Sequence, residues 1–378
     1  MRFDKMYIGL TEVTTKAQLR QFINYPLKLY KNHPYYVPAL MSDEIETLDP
    51  ERNPAFEYCK ARYWMAYKRN EVVGRIAGII NYKHISKWQQ PYLRFGWFDF
   101  VDDRNVSRAL ISVVEKWAKE CQLKAVHGPL GFTNLDHEGM LIKGFDELGT
   151  MATIYNYPYY PTHLDKLGYI KDSDYVEYEL KVPEKIDPRL SRAAEIVLRR
   201  NKLTFPRFTN KHKMLKFAPQ IFGLINSEYA HLYGVTLLSE KQIEHYTEAY
   251  FGFLRPDFVP IILDEKNEIV AFGVVIPSLS KALQKCRGNL FPLGWYHLLH
   301  ALRKNDRADL YLIAVKKSYQ GLGLSIVLMD HVAKVFNMQG IKFAESNPEL
   351  ETNVNVQSQW KFFDKRQHKR RRIFIKIV

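Results

Sequence analysis

The stretch that decides the fold is residues 309–329, which read D-L-Y-L-I-A-V-K-K-S-Y-Q-G-L-G-L-S-I-V-L-M. Its first part, residues 310–315, is an apolar run with the length and β-rich composition of a buried strand. Gly321 and Gly323 follow a short basic turn, and an amphipathic helical pattern begins directly after them. Glycines let the backbone approach a ligand, and the free N–H groups of a first helical turn point towards it. The stretch therefore predicts an anion site.

The order of side chains in this turn is more specific than its two glycines. Gln320, Gly323 and Ser325 form the pattern Gln-x-x-Gly-x-Ser between the strand and a long helix. It resembles the (Gln/Arg)-x-x-Gly-x-(Gly/Ala) signature of the GNAT superfamily of N-acyltransferases, with Ser325 as a small-residue departure. A dinucleotide site is disfavoured, because G-x-G-x-x-G is incomplete and the required acidic residue is missing. A plain strand-to-helix connection is the alternative that two glycines alone leave open.

The composition indicates a folded protein with room for two domains. The chain has 378 residues, of which 46% are hydrophobic and 14% aromatic. Its three cysteines, Cys59, Cys121 and Cys286, lie far apart, so we expect neither disulfides nor a zinc site and favour a cytoplasmic location. The start of the chain lacks an apolar leader core, and no run is long enough to cross a bilayer. We therefore expect no membrane partner.

The net charge of +14, from 55 basic and 41 acidic residues, favours an anionic ligand. Coenzyme A, with its phosphates, is one candidate, and nucleic acid is a disfavoured alternative that stays open. The densest basic cluster is residues 365–372, K-R-Q-H-K-R-R-R. It is interpreted either as a solvated turn and edge strand or as a nucleic-acid contact.

The remaining pattern predicts the same unit twice. Residues 71–80 (EVVGRIAGII) align with residues 268–277 (EIVAFGVVIP), and in each half a hairpin is followed by strand, helix and strand. The predicted fold class is α/β (α+β), with two tandem GNAT-like units that each have a mixed, mostly antiparallel central sheet flanked by helices. Prolines 183 and 188 place the boundary between residues 1–182 and residues 183–378.

The first unit lacks the phosphate turn. Its strand at residues 95–101 passes to a helix through Asp102 and Asp103, which cap a helix well but repel phosphates. We expect this degenerate unit either to shape the acceptor side or simply to pack against the second. The aromatic run at residues 155–161 (YNYPYYP) is interpreted as a packed loop, with a pocket lining as the alternative.

The resemblance implies acetyl-CoA or another acyl-CoA as co-substrate, with no metal. In GNAT enzymes the strand before the phosphate turn pairs with pantetheine, and the turn binds pyrophosphate. A backbone N–H at an Ala314–Val315 bulge would stabilise the oxyanion. The residues expected to bind the cofactor are Ile313, Ala314, Val315, Gln320, Gly321, Leu322, Gly323, Leu324, Ser325 and Asn353.

The resemblance also places the catalytic groups. An amine must lose a proton before it attacks, and Glu345, on the next strand, is the expected base. A surface or salt-bridging role for Glu345 is the alternative. Asn353 and Trp360 stand seven apart on a helix predicted over residues 352–363, and Trp360 replaces the family's tyrosine, which protonates the departing thiolate.

The sequence thus predicts an N-acyltransferase that transfers an acyl group, with acetyl-CoA as the favoured donor, directly to a small-molecule or peptide amine. Two alternatives stay open. One is a non-catalytic acyl-CoA-binding or protein-binding module of GNAT fold, which Trp360 favours. The other is a Fem-like aminoacyl-tRNA-dependent transferase, which the basic residues 365–372 favour.

Overall fold

The structure is a computed structural model that describes residues 7–208, 210–251 and 254–378. Residues 1–6, part of the segment in which the sequence shows no leader pattern, lie outside the described residues. The elements of the first half are β1 (Gly9–Glu12), α1 (Lys16–Leu29), α2 (Met41–Leu48), β2 (Cys59–Lys68), β3 (Glu71–Asn81), α3 (Tyr82–Trp88), β4 (Tyr92–Phe100), α4 (Arg104–Glu120), β5 (Ala125–Gly128), β6 (Met140–Lys143), α5 (Tyr159–Lys166) and β7 (Ile170–Lys181). Those of the second half are α6 (Pro188–Arg200), α7 (Lys211–Leu215), α8 (Ala218–Glu228), α9 (Glu240–Phe251), β8 (Ile261–Leu263), β9 (Ile269–Pro277), α10 (Ser280–Cys286), α11 (Gly294–Arg303), β10 (Arg307–Val315), α12 (Leu324–Gln339), β11 (Phe343–Ser346), β12 (Glu349–Leu350), α13 (Val354–Gln357) and β13 (Asp364–Ile377).

The described residues form two units. Unit 1 contains the residues up to Val176 together with Ser280–His297 and Lys369–Val378, and unit 2 contains Glu177–Leu279 and Leu298–His368. The sequence predicted a division into residues 1–182 and 183–378. The structure differs from that division because two segments of the second half group with unit 1. The last part of β13 pairs with β5, and Gln284 donates hydrogen bonds to backbone oxygens of the first half.

In unit 1 the strands lie in the order β1-β2-β3-β4-β5-β13-β7. β4 and β5 are parallel, whereas β1, β2, β3 and β4 pair antiparallel in succession. The apolar face of α4 packs on one side of this sheet through Val106, Leu110 and Val114. Phe22 and Ile23 of α1 belong to a separate apolar cluster with residues of β2 and β3. Both faces of the sheet are therefore covered.

In unit 2 the order is β8-β9-β10-β11-β7, in which β10 and β11 are parallel and the other neighbours are antiparallel. α12 packs through Val327, Leu328 and Phe336 on the apolar clusters beneath β10 and β11. β3 and β9, which carry the aligned sequences, occupy equivalent places in the two units. Each is the second strand of an antiparallel hairpin and also pairs with the first strand of its unit's parallel pair, β4 or β10. The predicted fold class is confirmed.

The basic residues 365–372 lie within β13, between β5 and β7, so the interpretation as a turn and edge strand is wrong. Lys369 and Arg371 are each only 1% exposed. Arg370 and Arg372 both donate to the carboxylate of Asp174, whose side chain is fully buried, at 2.7 Å. Burial alone would raise the pKa of Asp174, but the hydrogen bonds from Arg372 and Arg370 outweigh it and hold that pKa below the ordinary value.

We expect Asp174→Asn to lower the free energy of unfolding by about 2–3 kcal/mol, because hydrogen bonds from two guanidinium groups lose their charged acceptor. The exposed i,i+4 pair of Lys116 and Glu120 provides the control, and Glu120→Gln should cost less than about 0.5 kcal/mol. The folded pKa of Asp174 is lowered, so its contribution is present above the unfolded pKa of about 3.9 and is lost as the pH falls through the folded pKa. Urea unfolding at pH 7 and pH 3 measures both effects, and an equal loss at the two pH values would contradict this assignment.

Candidate functional site

β10 and β11 run side by side only at the start of β10 and then separate. Their register ends at the pair Leu310 and Ser346, whereas β10 continues to Val315. Against β9, the register of β10 shifts between Leu310 and Leu312, which makes Tyr311 the bulge residue. The bulge that the sequence placed at Ala314–Val315 therefore lies earlier. Beyond Tyr311, one edge of β10 has no partner in β11, so its backbone groups are left to other partners.

The hydroxyl of Tyr229 occupies this edge at Ile313. It donates to the carbonyl oxygen of Ile313 at 2.8 Å and accepts from the N–H of the same residue at 3.4 Å. Tyr229 follows the last residue of α8, and burial raises the pKa of its phenol to about 12. The position at which the sequence predicts pantetheine to pair with Ile313 is thus filled by a side chain.

The glycine turn follows a single 3₁₀ turn, Lys317–Tyr319. Gly321 and Gly323 have φ values of +79° and +89°, a region that other residues adopt only with strain. A Cβ added at Gly321 would meet nothing within 4 Å, so this residue faces open space. A Cβ at Gly323 would approach Cγ2 of Val197 to 3.0 Å, so glycine is needed there for packing as well.

Backbone N–H groups stand open where α12 begins. Gly323 is the N-cap residue of α12 and provides no side-chain cap. Within residues 7–208, 210–251 and 254–378, the structure records no acceptor for the N–H groups of Gly321, Gly323, Leu324 and Ser325. These donors lie at the positive end of the helix dipole. The arrangement is suited to an anion with several acceptor oxygens.

Gln320 closes the turn and does not face this anion position. Its Nε2 donates to the carbonyl oxygen of Val315 at 3.0 Å and to Oε2 of Glu228 at 3.2 Å. Oε1 of Glu228 accepts from the N–H of Lys317 at 3.1 Å. Sequence reasoning missed Glu228, because it comes from α8 and no local pattern connects it to the turn. Its carboxylate disfavours an anion at Lys317, so the donors available to an anion are the open N–H groups of Gly321, Gly323, Leu324 and Ser325.

Glu345, the predicted base, lies in a row of carboxylates on adjacent strands. In the strand register it stands opposite Glu179 on β7 and Asp309 on β10. Its Oε1 is 3.4 Å from Nε2 of His368, and its side chain is 12% exposed. Glu179 is paired with Arg307 at 2.6 Å. Glu345 is therefore a mostly buried member of a charged cluster, and its role as base stays a prediction.

The helix predicted over residues 352–363 is broken into α13 and a 3₁₀ turn, Ser358–Phe362. Asn353 is the N-cap residue of α13, where its Oδ1 accepts from the N–H of Val356 at 3.4 Å. Trp360 is buried in the core of unit 2 and donates Nε1–H to Oε1 of Glu349 at 2.7 Å. Burial raises the pKa of Glu349 to about 7, against weaker opposing hydrogen bonds. Sequence reasoning missed this carboxylate, because only the buried contact with Trp360 distinguishes it.

The corresponding strand edge and helix start of unit 1 are closed by the protein itself. The N–H of Phe100, at the end of β4, donates to the hydroxyl of Tyr160 at 3.0 Å, and the hydroxyl of Tyr159 donates to the carbonyl oxygen of Phe100. Asp103 caps α4 and forms an ion pair with Lys68 at 2.9 Å. The open turn of unit 2 therefore has no counterpart at this position.

Unit 1 contains a cavity of about 90 Å³ next to β3 and β4. At its wall, Nε of Arg75 donates to Asp99 at 2.8 Å, and both side chains are buried. Glu44 accepts from Nε1 of Trp97 at 2.7 Å, and Trp97 has a φ of +45°. A non-glycine residue in that conformation is uncommon and is found more often at functional sites. The Arg75–Asp99 pair is internally neutral, so Glu44 gives the lining a net negative charge.

The aromatic run at residues 155–161 serves both of the roles that the sequence left open. Tyr155 and Tyr160 line the cavity. Tyr157 and Tyr159 stack on each other, with ring centroids 5.5 Å apart.

The described part of the chain contains no cluster of three or more His, Cys, Asp or Glu residues that could hold a metal ion.

Comparison with known proteins gives relatives along nearly the whole chain, although no family model matches it. The chain is 27% identical over 380 residues to Protein YghO of Escherichia coli K12, covering 98% of this chain and 96% of that protein. It is 24% identical over 335 residues to a bacterial ceramide synthase of Caulobacter vibrioides, covering 85% of this chain and 84% of that protein.

Solved structures share the fold. A tandem GNAT protein from the clavulanic acid biosynthesis pathway matches with a TM-score of 0.56 at 10% identity and covers 98% of both chains. A GCN5-related N-acetyltransferase from Sphaerobacter thermophilus matches with a TM-score of 0.52 at 9% identity, covering 97% of this chain and 95% of its own. The fold is therefore that of tandem GNAT proteins.

We expect Tyr229→Phe to expose the backbone of Ile313, because the mutation removes the hydroxyl that both accepts from and donates to this residue. The amide hydrogen of Ile313 should exchange faster with solvent, and the free energy of unfolding should fall by about 1 kcal/mol. Hydrogen exchange and urea unfolding measure the two effects. Tyr296→Phe, at an exposed tyrosine, is the control and should change neither quantity. Unchanged exchange at Ile313 in Tyr229→Phe would show that the hydroxyl does not protect this edge.

Proposed function

We propose that the chain is an N-acyltransferase that moves an acyl group directly from acyl-CoA to an amine. The observation that carries this proposal is the set of open N–H groups on Gly321, Gly323, Leu324 and Ser325. A pyrophosphate fits this donor set, because its oxygens accept several hydrogen bonds and its charge is favourable at the positive end of a helix. Gly321, which faces open space, allows close approach.

The pantetheine arm would take the place of the Tyr229 hydroxyl at Ile313. Pantetheine carries two amides, so the N–H of one can donate to the carbonyl oxygen of Ile313 and the C=O of the other can accept from its N–H, which replaces both contacts of the hydroxyl. Ala314 and Val315 continue the strand towards the turn, and Gln320 fixes the turn to Val315. Asn353 is engaged in capping α13, so a pantetheine contact would add to that role.

The reaction requires a base for the amine, and Glu345 is our proposed base. Glu349 is the competing carboxylate, because its pKa of about 7 is suited to proton transfer near neutral pH. Trp360 has no hydroxyl with which to protonate the leaving thiolate. A thiolate of pKa about 8.5 leaves without that help more readily than an alkoxide would. Acyl-CoA would supply the activated thioester and leave as the CoA thiolate, while residues of unit 2 would bind it and accept the proton of the amine.

The identity of the acyl donor and the identity of the acceptor rest on different observations. The names of the solved structures favour acetyl-CoA, whereas the Caulobacter relative named as a ceramide synthase favours a long-chain amine and a longer acyl chain. Within unit 1, the aromatic walls of the cavity and the carboxylate of Glu44 would suit a bound protonated amine. The cytoplasmic location predicted from the sequence remains part of this proposal.

Calorimetry with CoA and a matched pair of glycine variants tests the donor site. Gly321 and Gly340 both have φ near +75° and no neighbour within 4 Å of an added Cβ, but Gly340 lies at the other end of α12. Gly321→Asp places a carboxylate beside the pyrophosphate position and should weaken CoA binding at least tenfold. Gly340→Asp carries the same strain and charge and should bind CoA as the wild type does.

Equal CoA affinity in Gly321→Asp and the wild type would exclude the turn as the donor site. Thiol release from acyl-CoA substrates of increasing chain length, with a panel of short and long amines, then separates an enzyme from a non-catalytic binding module. CoA binding without turnover on any pair would favour the binding module that Trp360 suggests.

The pH dependence of turnover identifies the base. A base works in its deprotonated form, so a carboxyl with a pKa of about 7 would make activity rise with pH through that value. If Glu345 is the base, Glu345→Gln should lower kcat at least 100-fold, and Glu349→Gln should largely retain it. The reverse result would assign the role to Glu349. Full turnover in both variants would remove both residues as bases, and unchanged CoA affinity provides the control for folding.

A further inference from the structure

The segment that ends α10 and begins α11 exposes four large apolar side chains. Phe291, Leu293, Trp295 and Tyr296 are 81%, 61%, 48% and 54% exposed. We call these four residues the apolar ridge. Scattered apolar side chains are normal on a surface, but four within six consecutive positions form a cluster typical of an interaction site.

The segment that carries the apolar ridge is fixed by hydrogen bonds to residues near the start of unit 1 and by close packing at Gly294. Nε2 of Gln284 donates to the carbonyl oxygens of Pro34 and Tyr36 at 2.8 and 3.0 Å. The carbonyl oxygen of Gly288 accepts from the N–H of Met41 at 2.9 Å. At Gly294, an added Cβ would lie 1.8 Å from the carbonyl oxygen of Asn289, so only glycine fits. The exposure is therefore a property of a packed segment.

The chain segment that carries the apolar ridge has basic side chains and no acidic ones, which favours an anionic partner. Residues 269–305 contain no aspartate or glutamate. Lys281, Lys285 and Arg287 are exposed just before the ridge, within the same part of unit 1. Tryptophan and tyrosine favour the boundary between acyl chains and headgroups, and nearby cations bind anionic headgroups. A second copy of this chain would bring the same positive charges against each other.

We propose that the apolar ridge inserts into the surface of a membrane that contains anionic lipids. No helix of the described residues is long and apolar enough to cross a bilayer, so the contact is peripheral. This inference revises the expectation that the protein has no membrane partner. It goes beyond the proposed function and does not depend on the transfer reaction.

Flotation of the full chain with lipid vesicles tests the proposal. The wild type should bind vesicles of phosphatidylcholine containing 30% phosphatidylglycerol and should not bind vesicles of phosphatidylcholine alone. Phe291→Ser, Leu293→Ser and Trp295→Ser combined should abolish binding. Ile170→Ser, Met338→Ser and Val354→Ser combined remove similarly exposed apolar side chains elsewhere and should retain it. Lys281→Gln combined with Lys285→Gln should weaken binding about 30-fold, because each lost cation contributes about 1 kcal/mol to binding an anionic surface.

A second measurement does not require the triple-serine variant to fold. Brominated acyl chains should quench part of the tryptophan fluorescence of the wild type, and Trp295→Phe should lose that part while it still floats with vesicles. Failure of the wild type to bind anionic vesicles would overturn the proposal, and so would equal binding by the ridge and control variants. Self-association of the wild type that the ridge variant lacks, without vesicle binding, would assign the ridge to a contact between copies.

Discussion

The separation of β10 from β11 is the constraint on which the candidate site depends. A parallel pair that stayed together would satisfy both edges of β10 and leave no free edge. Because pairing stops at Leu310, the edge from Tyr311 to Val315 must be satisfied by something else. In this structure a tyrosine hydroxyl satisfies it at Ile313. The same strand then leads to a glycine turn in which the N–H groups of Gly321, Gly323, Leu324 and Ser325 have no acceptor among the described residues.

The two units share one architecture but differ at the start of the helix that follows the first strand of the parallel pair, which is capped in unit 1 and open in unit 2. Each has a parallel strand pair followed by a helix, and in each a tyrosine hydroxyl contacts the backbone of the first strand of that pair. In unit 1 an aspartate caps the helix and is itself paired with a lysine, so the positive helix end is neutralised. In unit 2 the glycines leave that end exposed. The difference comes from a few side chains at a turn and leaves the sheet unchanged.

The sequence predicts the elements of this fold well because they follow local rules. The spacing of apolar residues predicts the strand at residues 310–315 and the helix that follows it. The turn between them is predicted from glycines, which tolerate positive φ. Contacts between residues of different elements cannot be predicted from such local patterns. The basic residues 365–372 lie in an interior strand, where Asp174 of another strand accepts from Arg370 and Arg372. Tyr229 and Glu228 reach the site from the end of α8. The bulge at Tyr311 depends on pairing with β9, and Glu349 is marked only by its buried contact with Trp360, so no local pattern predicts either one.

A crystal structure of the full chain with CoA bound tests the central claim most directly. The account predicts that the pyrophosphate oxygens accept from the N–H groups between Gly321 and Ser325, and that the Tyr229 hydroxyl leaves Ile313 to a pantetheine amide. CoA bound elsewhere, with Tyr229 still on Ile313 and the turn unoccupied, would contradict it.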